Sequence, residues 1–323
     1  MKSLNLLKDN ERTVFYHYLI PSICSTLVTS IYILVDTLII GQGVGADGIS
    51  ALNIFVFPMK MGMEGAAIAT IIGSLITSLV LLTHFLKKEN RVKISISKVE
   101  LDKIKKIVAC GSSSFLMEVA SGFVIFIFNI QILRYIGEQG IVIYGIISNW
   151  ILVGIALFNG VAQASQPVIS TNYGANEIQR VNNILRYAMI TTILIGSILY
   201  AIIFLFTKAV ILVFVKADES IINIGIPAIR MYLSAFCLMN INILMCNYFQ
   251  SIGREKLSIN ISIIRGFLLN IVFVFIMPIL FGGKSLWLVV PTTEVITFIG
   301  ISMYLLKIKD NDIADEYKKI SNF

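Results

Sequence analysis

The sequence predicts an all-α polytopic membrane protein with about eight transmembrane helices, two before a basic linker and six after it. Three observations carry this. Of 323 residues, 57% are hydrophobic and only 14% charged, with a mean hydropathy of +0.85. That is more apolar surface than a soluble domain can hide behind its polar shell. Apolar stretches of about 20 residues, the length that crosses a bilayer core, recur along the whole chain. Lys and Arg gather in alternate connections between them, as the positive-inside rule requires.

The first span is expected at 14–40. The segment before it, MKSLNLLKDNERT, mixes Lys2, Lys8 and Arg12 with Asp9 and Glu11. No small-residue cleavage site follows, so this helix reads as a retained span. The second, 64–86, begins in MGMEGAAIAT, after Pro58 stops the apolar run NIFVF. Next comes the long polar stretch 87–106, KKENRVKISISKVELDKIKK. In its second part Val99, Ile104 and Ile107 recur among charges and Ser97 stands as a cap, which describes an amphipathic cytoplasmic helix. Contact with lipid headgroups is one reading of that helix; a solvated linker is the plainer one.

Six spans follow, at 107–136, 141–169, 184–206, 226–250, 258–281 and 286–306. Several exceed the minimum length, so tilting is expected. Pro21, Pro167, Pro227, Pro278 and Pro291 fall inside or near helix ends, where neighbouring helices can satisfy the freed carbonyls. The domains expected are a two-helix N-terminal bundle at 1–86, the linker at 87–106, a six-helix bundle at 107–306 and a tail at 307–323. With the N-terminus in the cytoplasm, inside segments hold nineteen of the 26 Lys and Arg residues and outside segments four, Lys60, Lys208, Lys216 and Lys284. Arg134, Arg230 and Arg265 lie within spans. Both termini are thus expected inside, and the protein in the cell membrane. The net charge of +7 is explained by this topology, with no nucleic-acid partner.

Cys24, Cys110, Cys237 and Cys246 lie in or near apolar segments without ligand spacing, and read as small buried residues. His17 and His84 sit near helix ends at the interface. No Walker loop, G-x-S-x-G or H-E-x-x-H is present, so neither ATP-driven transport nor hydrolysis finds support, and no cofactor or metal is expected.

The chain also repeats itself. IIGQGVGADGISALN (39–53) follows the first span and YIGEQGIVIYGIISN (135–149) the third; Gly41 and Gly137 are each followed twelve residues later by Asn. NIFVF at Asn53 is echoed by NIVFVF at Asn270. Two related halves in the same order are a common plan of secondary transporters. The later half runs from Asn149 to Asn270 between its landmarks, whereas in the earlier half Asn53 serves as both. The simplest inference is a chain of six plus six helices that lacks four at this joint. An even number leaves the remaining orientations unchanged.

With that plan, the residues resemble the multidrug and toxic compound extrusion (MATE) family, of the bacterial multidrug-export type. IPSICSTLVTSIYILVDTLIIGQGVGADGISALN is similar to the family's first helix, and MGMEGAAIAT to the start of the sixth. SFLMEVASGFVIFIFNIQI resembles the seventh, FNGVAQASQPVISTNYGAN the eighth, and YFQSIGREK the end of the tenth. IIRGFLLNIVFVFIMPILFGGKSLWLVVPTTE resembles the eleventh running into the twelfth. The resemblance covers nearly the whole chain and implies that helices two to five are absent. It implies two bundles around a central cavity, the N-terminal one incomplete here. It also implies export of cationic or amphipathic compounds by H+ or Na+ antiport, an activity that is not enzymatic.

Ionisable groups deep in a membrane are functional candidates by default. Asp36, in YILVDTLIIG, matches the family's first-helix aspartate and reads as an ion-coupling carboxylate or as a helix-end group reaching for water. Glu118 matches the seventh-helix glutamate and reads as a second coupling carboxylate or as a partner of Lys105 or Lys106. Arg265 and Glu294, about two turns in from opposite faces, are candidates for a cavity or gating role. Their depths suggest too wide a separation for a direct pair, and Arg265 can instead snorkel to headgroups. Among uncharged polar residues, Asn129, Gln163, Asn247 and Asn270 are the candidates for cavity contacts, within a larger set that includes Asn159, Gln166, Asn240, Asn242 and Gln250. Such groups more often tie helices together. Met117, Phe126, Met239, Met245 and Tyr248 suit a promiscuous apolar cavity or plain packing.

The chain departs from the family pattern at two acids. The fifth-helix aspartate is missing with its segment, and YLSAFCLMNINILMCNYF carries no acid where Na+-type members have one in the tenth helix. H+ and Na+ thus remain equal alternatives. Two helices beside a six-helix bundle do not enclose a cavity, and a homodimer is one way to supply the missing wall. The alternatives to an exporter are a non-transporting deletion remnant and a flippase for lipid or lipid-linked precursors.

Overall fold

The computed structural model describes residues 5–42, 75, 119–214 and 219–321. The chain divides into two compact units, one of Met1–Ile33 with Met117–Phe323 and one of Leu34–Leu116. The second lies almost wholly outside the described residues, as do the expected span 64–86, the linker 87–106 and Glu118. Nearly all of the described helical residues belong to the first unit.

Every described element is helical. The chain opens with α1 (Glu11–Gln42). α2 (Val119–Tyr135), α3 (Glu138–Gly174) and α4 (Ile178–Leu205) follow. A short α5 (Thr207–Phe214) leads to α6 (Glu219–Leu233) and α7 (Phe236–Ser251). α8 (Glu255–Ile263) runs through a π turn (Ile264–Leu268) into α9 (Leu269–Phe281). A 3-10 turn (Gly283–Leu288) then enters α10 (Val289–Ser321). Among the described residues, five stretches are long and apolar enough to cross a membrane: α3, α4, Glu219–Ser251, Glu255–Phe281 and Gly283–Lys307. The expected spans 141–169, 184–206, 226–250, 258–281 and 286–306 fall on these five, and 14–40 falls within α1.

The corners follow from local chemistry. Gly137 sits at φ 93°, a left-handed conformation that L side chains rarely adopt, and turns α2 into α3. Glu138 then occupies the first turn of α3, where the helix dipole favours an acid. α3 ends in Gly174 and Asn176 (φ 62°), with the Glu177 amide donating to the Asn172 carbonyl at 2.9 Å. At the α4–α5 corner the Arg230 guanidinium, from α6, donates to the Phe204 carbonyl (2.9 Å) and the Thr207 hydroxyl (3.2 Å). It also lies 4.3 Å from the Phe204 ring centroid. This charge within an expected span is therefore satisfied at a helix end.

Aromatic side chains fill the bundle in layers. Phe128, Tyr144 and Tyr232 form one, with Phe128 and Tyr144 stacked at 5.7 Å. Phe158 and Phe236 meet edge to face at 5.5 Å in the next, and Gly154 makes room there: a Cβ on it would fall 2.6 Å from the Phe236 ring. Phe249 and Tyr304 close the last, with Met245 and Ile301 beside them. Each layer joins helices distant in sequence, which fixes their register.

Candidate functional site: a buried ion pair and a polar helix face

The span Glu255–Phe281 is interrupted near its middle by the π turn Ile264–Leu268, and Arg265 stands on that turn. A π turn widens the helix by one residue and disturbs the backbone pairing. Here the Asn270 side chain repairs it, its amide donating to the Arg265 carbonyl at 2.9 Å and reaching the Gly266 carbonyl at 3.4 Å. The Thr293 hydroxyl reaches the Asn270 side-chain oxygen at 3.4 Å. Thr293 precedes Glu294, so the two helices are joined beside their charged pair.

Arg265 Nη1 lies 3.1 Å from Glu294 Oε1 and 3.4 Å from Oε2. The expectation that these residues sit too far apart to pair is corrected. The spans begin earlier than the hydropathy pattern suggests, at Glu255 and Gly283. At about 1.5 Å per residue, Arg265 is roughly 15 Å in. The 3-10 turn rises about 2.0 Å per residue and carries Glu294 roughly 20 Å in from the other face. In a hydrocarbon core of about 30 Å the two meet near the middle.

Asn242, on α7, is fully buried. Its side-chain amide donates to Glu294 Oε2 at 2.7 Å and to the Glu294 carbonyl at 2.9 Å. Both acceptors are oxygens, so the amide orientation is determined and Asn242 Oδ1 faces away. That oxygen and Arg265 Nε are buried without a hydrogen-bond partner. Glu294 is 3% exposed, whereas the Arg265 side chain remains 21% exposed. The arrangement is a carboxylate held from two sides at the junction of three spans, with the arginine as its accessible edge.

A second feature lies on α3. Asn159, Gln163, Gln166 and Ser170 recur at steps of four and three, which places them on one helix face. Gln163 and Ser170 are exposed, and Asn159 and Gln166 half-buried, while Val161, Ala162, Ala164, Ser165, Val168 and Ile169 are buried. The amide of Gln166 reaches Gln250 Oε1, at the end of α7, at 3.4 Å. An apolar helix thus leaves a polar stripe uncovered by its own unit.

Two other predicted residues serve their own helices. Asn129 donates to the Ile125 carbonyl and Asn247 to the Ile243 carbonyl, each at 3.0 Å. Asp36 lies on the backbone of α1, and its side chain is outside the described residues. No group of three or more His, Cys, Asp or Glu that could hold a metal ion is found among the described residues.

Two contacts went unforeseen. Arg180, counted in the sequence only as a loop charge, binds the chain's N-terminal segment. It donates to the Asp9 carbonyl (2.7 Å), the Leu6 carbonyl (3.3 Å) and Asn172 Oδ1 (2.9 Å), and lies 3.5 Å from Glu11. At Gly160 the backbones of α3 and α1 approach closely: a Cβ there would fall 2.9 Å from Ile23 Cα. The small residues of FNGVAQAS were the available signal for that approach.

Comparison with known proteins places this geometry. The MatE family model matches residues 113–276. The multidrug export protein MepA of Staphylococcus saprophyticus subsp. saprophyticus is 23% identical over 266 residues, 82% of this chain and 58% of its own length. MepA of Staphylococcus aureus (strain NCTC 8325 / PS 47) is 23% identical over 231 residues, 71% of this chain and 50% of its own. The chain therefore spans little more than half the length of these curated relatives. Among solved structures, an inward-facing multidrug resistance MATE family transporter of the MOP superfamily superposes with a TM-score of 0.69 at 22% identity, covering 80% of this chain and 61% of that one. An outward-facing form gives 0.63 at 20% identity, covering 92% and 79%. These likenesses establish the fold.

Proposed function

This chain belongs to the MatE family, whose members are transporters rather than enzymes, and we propose that it exports cationic or amphipathic compounds by H+ or Na+ antiport. The observation that carries the reading is the stripe Asn159–Gln163–Gln166–Ser170. Polar groups on an apolar span are costly against lipid, so this face is suited to a wetted cavity. The multidrug export proteins to which the chain is similar support the substrate class. Asp36 and Glu118 are the carboxylates assigned to coupling. Arg265, Glu294 and Asn270 form the gate, with Asn129, Gln163 and Asn247 as cavity contacts.

Both carboxylate oxygens of Glu294 are already engaged, Oε1 by Arg265 and Oε2 by Asn242. That leaves exchange to Asp36 and Glu118. A second copy of the chain would supply the wall that the missing helices leave open. The rival reading, a non-transporting remnant, is favoured by the chain's span of little more than half its relatives' length.

Reconstitution tests the proposal. The purified chain in liposomes is loaded with ethidium and given either a pH gradient or a Na+ gradient. Dye movement under one gradient names the ion, and Gln163→Leu should slow it several-fold. No movement under either gradient, with the protein folded and inserted, supports the remnant.

A further inference from the structure

Arg134 and Lys284 take no part in the functional reading. Arg134 stands at the end of α2 and Lys284 on the 3-10 turn, and both are exposed. Neither has an ion pair or hydrogen bond to another described residue; Arg134 only flanks the Tyr135 ring, 5.6 Å from its centroid. The two segments touch. A Cβ on Gly283 would lie 2.8 Å from Tyr135 Cβ and 3.1 Å from the Tyr135 carbonyl oxygen. The neighbours of these two touching residues are therefore cations on one membrane face.

The turn that presents Lys284 is firm. Gly282 takes the left-handed conformation at φ 79°, and the Ser285 hydroxyl donates to the Gly282 carbonyl at 2.7 Å. Beneath Lys284 opens a recess of about 390 Å³, lined by Met231, Met277, Phe281, Lys284, Ser285 and Leu288. Its lining is mostly apolar. Around it the helix surface is built for hydrocarbon, with Ile279 73% and Phe281 72% exposed. Of the 18-residue apolar window within Glu255–Phe281, 11% is buried within the protein, so this helix lies at the periphery of its unit. Methionine walls adapt to a flexible chain.

We propose that this corner binds an anionic phospholipid, with one acyl chain in the Met231–Met277–Leu288 recess and its phosphate against Lys284 and Arg134. On the outer face, where the charge count places Lys284, two adjacent cations attract a phosphate by plain Coulomb interaction within a Debye length. A choline headgroup would bring its own positive charge against the same pair. This binding is independent of whether the chain transports anything.

The experiment is native mass spectrometry of the full chain, purified in mild detergent and offered equal amounts of phosphatidylglycerol and phosphatidylcholine. The wild type should retain phosphatidylglycerol in preference. An R134Q/K284Q variant should retain it about 25-fold less, with phosphatidylcholine unchanged, and Met277→Trp, which fills the recess, should weaken both. If the double variant does not fold, Lys284→Gln alone at its exposed position should lower phosphatidylglycerol retention about fivefold. Equal retention of the two lipids by the wild type would overturn the proposal. So would undiminished phosphatidylglycerol on the charge variants, or its displacement by millimolar inorganic phosphate, which would mark a headgroup contact with no role for the recess.

Discussion

Arg265 Nη1 and Glu294 Oε1 lie 3.1 Å apart in the interior of the membrane-spanning bundle, and the carboxylate is 3% exposed. A buried pair gains little over an apolar one, yet removing one partner leaves an uncompensated charge and costs about 3–5 kcal/mol. Arg265→Met should therefore lower the melting temperature strongly. Adding Glu294→Gln should restore much of the loss, because Asn242 can donate to the new amide oxygen. Thermal denaturation in detergent reads both, and additive effects would argue against the pair.

Asn242 supports that carboxylate with two hydrogen bonds. Asn242→Leu should cost about 1–3 kcal/mol, the range for leaving a buried acceptor short of its donor. Asn242→Asp should cost more, since it sets two carboxylates side by side. The order of melting temperatures, Asn above Leu above Asp, checks this directly.

Asn270 holds the π turn by its bond to the Arg265 carbonyl. Asn270→Leu should lose that bond, and its effect should not add to that of Glu294→Gln. A double-mutant cycle should show a coupling of about 0.5–3 kcal/mol, as for residues in one network. Zero coupling would mean that the turn and the ion pair are independent.

Arg180 ties Leu6 and Asp9 to the α3–α4 corner. Arg180→Gln should free the segment, so limited trypsin digestion should cut at Lys8 and Arg12 several-fold faster. Cutting at the wild-type rate would show that Arg180 does not hold the segment.

The spans were legible because each is an apolar run of bilayer length, bounded by glycines such as Gly137 and Gly282 whose backbone angles demand them. The polar residues of the proposed gate were legible as types: Arg265, Glu294 and Asn270 stood out in apolar surroundings. Their meeting was not, because it depends on a π turn and a 3-10 turn that shift depth without a clear sequence mark. Asn242 was visible only as one of many polar residues in the spans. Arg180 was hidden by its plain role in the charge balance, and α5 by its brevity, eight residues after a much longer helix.

The central claim is that this short chain still exports, with coupling on Asp36 and Glu118. It is tested most directly by following ethidium efflux from a bacterial strain without its own exporters, expressing the wild type, an Asp36→Asn/Glu118→Gln variant, or an empty vector. The account predicts efflux from the wild type that falls to the vector level in the variant. Membrane-inserted wild type with no efflux above the vector would contradict it, as would efflux that the variant leaves intact.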